Sequence, residues 1–261
     1  MRALSIAATG MDAQQTRVEV ISNNIANMNT TAFSARRAEF ADLHYQVVKA
    51  SGASSAATGE MVPEGVQLGL GVRAASITMD MTQGALTETG GDLDVAIEGP
   101  GYIEILLPSG ESVYTRDGSL KRTAEGVIVN ADGFPVQGNI TIPQDARRIA
   151  INPEGEVSVF FDNNPAGQLI GTIGIVSFVN AKGLEPLGGN LFRETEASGV
   201  PLPGLAGQEG RGTFRQGYLE GSNVDVVEQI AQLIEAQRGY ELNSRVITAA
   251  DQMMAATTQI R

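Results

Sequence analysis

Asp92 and Asp94 stand two residues apart at the head of a short apolar run, and Asp117 and Asp132 each precede a glycine. Paired carboxylates could divide the acid and base roles of a glycoside hydrolase. Asp-Gly is also an ordinary way to build a tight turn, because Asp bonds its own backbone and Gly accepts a positive φ. His44 is the single histidine, and no cysteine stands beside it. A metal centre or a nucleophile–histidine pair needs more partners than that, so His44 reads as a surface or packed residue. Gly69-Leu70-Gly71-Val72-Arg73-Ala74 is a broken dinucleotide fingerprint. It runs into residues of period two rather than into a helix, the wrong context for holding a pyrophosphate. Met253-Met254 could line a groove, but helical packing accounts for it. Arg36-Arg37 and Arg147-Arg148 are isolated basic pairs in a chain of net charge −12. Phosphate binding needs clustered cations, so nucleic acid is disfavoured as a partner. These residues assign no catalytic group, no cofactor and no metal, and the absence of cysteine excludes disulfides and thiol chemistry.

What remains is the chemistry of contact, and it sits at the two chain ends. Residues 1–28 hold no proline, and Leu4, Met11, Val18 and Ile25 recur every seven residues. That spacing predicts a coiled-coil seam on a helix, with Gln14 and Gln15 where apolar seam residues would be expected. Asn23, Asn24, Asn27 and Asn29 crowd the end of this helix. Amides there can cap carbonyls, accept a left-handed backbone or bond to a neighbouring chain, so C-capping and an interface are both open readings. Near the other end, Ser222-Asn223-Val224-Asp225 reads as a capping box. It opens a helix of about 38 residues, roughly 57 Å if continuous, which is long for an ordinary globular helix. Val226, Val227, Ile230, Leu233 and Ile234 cover an arc of roughly 120°, and after Arg238-Gly239 the apolar set, including Leu242, Val246, Ile247 and Met253, covers roughly 180° largely on another side. One partner helix cannot cover both arcs.

Between the helices the apolar period falls to two. Strands are expected at 93–97, 102–107, 112–116, 127–130, 157–161 and 172–179, separated by Gly-containing turns, which argues for an antiparallel β domain. Low-complexity loops flank it at 50–60 and 198–212. The expected fold is α+β, with N- and C-terminal helices forming a coiled-coil domain and a mainly antiparallel β domain inserted between them. Its parts are 1–32 with 222–261 as the helical assembly domain, 33–70 with 205–221 as an intermediate region with an extended loop or hairpin, and 71–204 as the β domain. No apolar run approaches the roughly 20 residues that span a bilayer, so direct membrane insertion is not expected, and the N-terminus lacks the apolar core of a cleavable signal peptide.

The stretch ALSIAATGMDAQQTRVEVISNNIANMNTTAF, followed by RRAEFADLHYQ, resembles the N-terminal signature of bacterial flagellar rod and hook proteins. The tail QGYLEGSNVDVVEQIAQLIEAQRGYELNSRVITAADQMM is similar to their C-terminal signature, and LGLGVRAASITMDMTQGALTETGGDLDVAIEGPGYIEILLPSGESVYTRDGSL to their central region. The length, the tail and the extra segment 46–66 are most like the members that build the distal rod. The resemblance implies a structural, non-enzymatic subunit that stacks helically with itself into a rigid torque-transmitting shaft, with 46–66 stiffening it. It implies neighbours in the hook protein, the proximal rod proteins and the surrounding L/P ring bushing. It also implies passage through the flagellar type III export apparatus without signal cleavage, with terminal helices disordered before assembly, and a place in the basal body across the periplasm. On this resemblance the four asparagines become interface residues, and Leu4, Met11, Val18, Ile25, Ile230, Leu233, Ile234, Leu242, Val246, Ile247 and Met253 become the assembly seam. The family usually carries Gly where Ala32 stands and a basic residue where Ser34 stands. Two rivals stay open: a proximal rod or hook subunit, and a ligand-binding or hydrolytic β domain with helical oligomerisation arms.

Overall fold

The computed structural model describes residues 2–49, 65–138, 140–162 and 164–259. The described chain forms an α+β protein with a helix near each end, α1 (Arg2–Ala26) and α2 (Val226–Gln259), and antiparallel ladders between them. It divides into two compact units: the described parts of 1–26, 36–79 and 225–261, and those of 27–35 and 80–224. Of the segment 46–66, residues 50–64 lie outside the described residues.

In the first unit α1 and α2 run antiparallel. A Cβ built on Gly10 would sit 2.9 Å from Asn243 Nδ2, and one on Gly239 3.1 Å from Gln14 Cδ. Further along, Arg17 meets Glu235 at 3.0 Å and Asn24 meets Gln229 at 3.0 Å. The partner's number falls as the residue number rises, and the contact residues recur at heptad-like spacing. Strand Arg36–Asp42 pairs with Val72–Met79 and packs along α1. Thr9 Oγ1 receives the Val72 N–H at 3.4 Å, and Gly71, at φ +122°, leaves no room there for a side chain. A second ladder joins Tyr45–Lys49 to Val66–Gly69.

α2 opens one turn later than its first cap signal. Asp225, not Ser222, is the N-cap: its Oδ1 accepts from Val227 N at 2.9 Å and Glu228 N at 3.2 Å. Ser222 Oγ accepts from Val224 N at 3.3 Å instead, and Asn223 is engaged elsewhere. Asn223 Oδ1 accepts from Ala35 N at 2.7 Å, while its Nδ2 donates to Asp80 O and Thr82 O at 3.0 and 2.9 Å. One amide therefore ties three separate chain segments of the second unit.

The core of that unit is aliphatic, with Ile97, Ile103, Ile105, Val157, Val159 and Ile175 fully buried. Its sheets include a four-stranded one (185–188, 191–193, 112–115, 103–106) and a three-stranded one (148–151, 156–161, 164–172). The strand expected at 172–179 is broken: Asn164–Thr172 ends where Ile175–Ser177 begins a different ladder.

Ala32 settles a question raised by its sequence. It keeps the left-handed turn, at φ +54°, while buried to 4 % exposure and donating its N–H to Glu220 O at 2.8 Å. An L-residue there is strained by about 1–2 kcal/mol. Glycine would relieve that strain, but would lose about 0.8 kcal/mol of buried methyl and about 0.4–1 kcal/mol through a freer unfolded chain. Ala32→Gly is therefore expected to unfold in urea within about 1 kcal/mol of the parent, and Ala32→Val to lose about 2 kcal/mol or more, because a β-branched residue fits that backbone worst. A large gain from glycine would mean that packing does not hold the strain.

Candidate assembly interface

The residues through which the helix pair meets itself include, besides the Arg17–Glu235 ion pair, a set of small or amide-bearing ones. They are Gly10, Gln14 and Asn24 on α1 and Gln229, Ala236, Gly239 and Asn243 on α2, with Ala236 and Asn24 essentially inaccessible. Such residues let two backbones approach closely but bury little apolar surface. The large apolar residues of the heptad pattern lie elsewhere. On α1, Leu4, Met11, Val18 and Ile25 are only half-buried, while Ala7, Ala13, Val20 and Ile21 are buried. On α2, Val227 is 79 % exposed, Ile230 46 % and Ile234 47 %. At 100° per residue these three lie roughly 180° from the face that meets α1. Leu242, Val246 and Met253 are exposed as well, and Leu233 and Ile247 half-buried. Within the chain the structure does not gather the expected seam residues into one contact. Val18 alone lines a cavity of about 410 Å³, with Gln15, Gln237, Tyr240 and Glu241.

The four asparagines divide. Asn24 is buried and holds the edge of strand 36–42 as a neighbouring strand would: Nδ2 donates to Arg36 O at 2.7 Å and Oδ1 accepts from Arg36 N at 2.9 Å. Its Nδ2 also reaches Gln229 Oε1. Asn27 Oδ1 accepts from Thr30 Oγ1 at 3.1 Å in the turn after the helix. Asn23 and Asn29 are exposed.

Two of the four candidate catalytic groups are occupied by local structure. Asp94 Oδ2 accepts from Thr89 Oγ1 at 2.5 Å, and Asp117 Oδ1 from Ser119 N at 3.0 Å, the latter being the geometry of a turn-forming aspartate. Among the described residues no three His, Cys, Asp or Glu side chains are placed to hold a metal, and no helix is long and apolar enough to cross a membrane.

Residues 4–33 match the family described as flagella basal body rod protein, 96–159 the flagellar hook protein FlgE/F/G D1 domain, and 215–260 the flagellar basal body rod FlgEFG protein C-terminal family. The flagellar basal-body rod protein FlgG of Caulobacter vibrioides is 52 % identical over all 261 residues of both chains. The chain belongs to the flagellar basal-body rod protein FlgG family. The FlgG protein of Agrobacterium fabrum is 48 % identical over 99 % of each chain, and that of Bacillus subtilis 36 % over 100 % of this chain and 99 % of its own. Membership in the FlgG family makes the chain a structural subunit of the flagellar basal body. Of the three matched regions, the first and last cover most of α1 and α2, the elements that carry the exposed apolar faces.

The sequence reading missed the intrachain seam. Its signal was there: Gln229, Ala236, Asn243 and Ala250 recur every seven residues. A hydrophobicity pattern passes over such a heptad because none of its members is large and apolar.

Proposed function

We propose that this distal-rod subunit assembles helically into a rigid tube that transmits torque from the motor to the hook. The observation that carries the reading is the placement of the apolar side chains: small and amide residues close the helix pair, and Ile230, Ile234, Leu242 and Met253 stay exposed. Exposed apolar faces on a long helix call for partner helices. In this reading α1 and α2 form the coiled-coil core, with 1–32 and 222–261 as the assembly domain, 33–70 with 205–221 as the intermediate region, and 71–204 as the antiparallel β domain. Leu4, Met11, Val18 and Ile25, with Leu233, Val246 and Ile247, complete the contacts, and Asn23 and Asn29 add hydrogen bonds to the next subunit. The hook protein, the proximal rod proteins and the L/P ring bushing are its neighbours, the flagellar type III apparatus exports it uncleaved, and the rod crosses the periplasm. The chain performs no catalysis.

Electron microscopy of the purified protein tests this. The expected result is straight tubes at high concentration, and curved, hook-like filaments once residues 46–66 are deleted. A chain that stays monomeric at every concentration sinks the proposal, and straight tubes from the deletion variant sink the stiffening role of 46–66.

A further inference from the structure

The two arginine pairs of the sequence have different surroundings. Arg147 Nε meets Asp162 Oδ1 at 3.1 Å, and Arg148 lies 6.0 Å from the centre of the Phe160 ring. Arg36 and Arg37 form no ion pair among the described residues. With Arg17 they line a cavity of about 190 Å³, whose apolar walls are Val20, Ile21, Ala38 and Phe40. No acidic side chain lines it. Arg36 Nε is buried without a hydrogen-bond partner, even though the backbone of the same residue is held by Asn24. A guanidinium N–H removed from water and left unmatched is unfavourable, and the cavity beside it offers a place for an acceptor the chain does not supply.

We propose that this cavity receives a carboxylate side chain from a second copy of the chain. Guanidinium groups present fixed forks of N–H donors that match the two oxygens of a carboxylate. The chain's own candidates are committed. Glu235 is bound to Arg17 from an exposed position, and Glu39 accepts from Ser76 and Thr78 at 3.1 and 3.2 Å. A second copy supplies what is missing, because 30 acidic residues against 18 basic ones make its surface predominantly anionic. Copies of net charge −12 repel one another, and a basic pocket facing an acidic side chain offsets that repulsion while fixing register. The inference rests on self-assembly as proposed above.

The test uses the full chain as Arg36→Lys and Arg37→Lys variants, assembled from an equal mixture of light and ¹⁵N-labelled protein and treated with a carbodiimide. The reagent joins a lysine amine to a carboxylate in contact. Mixed-label peptides joining the introduced amine, at position 36 or 37, to an Asp or Glu are expected. In parallel, Arg37→Glu is expected to raise the concentration needed for assembly by at least about tenfold and Arg37→Lys to change it little. Tubes in which the cross-links from positions 36 and 37 are all same-label, or missing, overturn the pocket while leaving the rod reading intact. Arg37→Glu assembling at the parent's concentration overturns the pocket in the same way. A protein that never associates overturns both.

Discussion

A chain carrying Ile230→Asp and Ile234→Asp is expected to fold as the parent does and to form no tubes. Both side chains are nearly half exposed on the α2 face turned away from α1, so as surface substitutions they should move the unfolding midpoint by only about 0.5 kcal/mol or less. In the proposed tube the same positions are covered. Burying an isoleucine is worth about 1.5–3 kcal/mol, and an unpaired carboxylate in its place adds several more in the wrong direction. Two such changes remove at least about 5 kcal/mol per contact, more than a thousandfold in the concentration needed for assembly. Urea unfolding and pelleting of polymer at graded concentrations read the two effects separately. Ile230→Leu should keep tubes, since it preserves the apolar volume. Tubes forming from the double variant at the parent's concentration would remove this face from the interface, and a large loss of monomer stability would mean that the face packs within the chain.

That contrast explains how much of this molecule its sequence made legible. The helices were legible because their apolar residues keep a long period: the first was expected at 1–28 and occupies Arg2–Ala26. The start of the second was displaced because two cap signals overlap. Ser222 with Asp225 and Asp225 with Glu228 both fit the local rule, and the choice falls to a distant event, the capture of Asn223 by residues 35, 80 and 82. Strand 36–42 went unread for a related reason. Its partner, 72–79, begins thirty residues after it ends, and its outer residues include Arg37, Glu39 and Phe40, so alternation barely marks it. The apolar heptads named surfaces, but not which surface the chain keeps for itself. Glycine and amide residues decide that, and they become visible only when Gly10 faces Asn243 and Gly239 faces Gln14. The chemical candidates fared similarly. The Asp-Gly turns could be recognised as turns, while the difference between Arg36-Arg37 and Arg147-Arg148 depended on whether an Asp162 or a Phe160 stood alongside.

The largest stability change within the second unit is expected from Arg116→Met. Arg116 and Glu220 form an ion pair with Nη2 and Nε at 2.8 and 2.9 Å from Oε2, and their side chains are 12 % and 5 % exposed. The polar edges around the pair are also matched. Arg116 Nη1 donates to Gly99 O and Gly101 O at 3.1 and 3.0 Å, and Glu220 Oε1 accepts from Gly84 N at 3.1 Å. The pair thus joins the loop at 99–101 to the ladder of Leu86–Glu88 with Tyr218–Glu220, and the main chain of Glu220 holds the strained Ala32. Methionine has similar bulk and no charge, so it leaves the Glu220 carboxylate buried with only a backbone N–H for company and two carbonyls without a donor. Removing one member of a buried pair costs about 3–5 kcal/mol, most of it the isolation of the survivor. It follows that Glu220→Leu added to Arg116→Met should lose less than the two single changes together, since no lone charge remains. Urea unfolding of the four proteins measures the coupling directly. Additive losses, or a loss below about 1 kcal/mol for Arg116→Met, would place the two side chains in water.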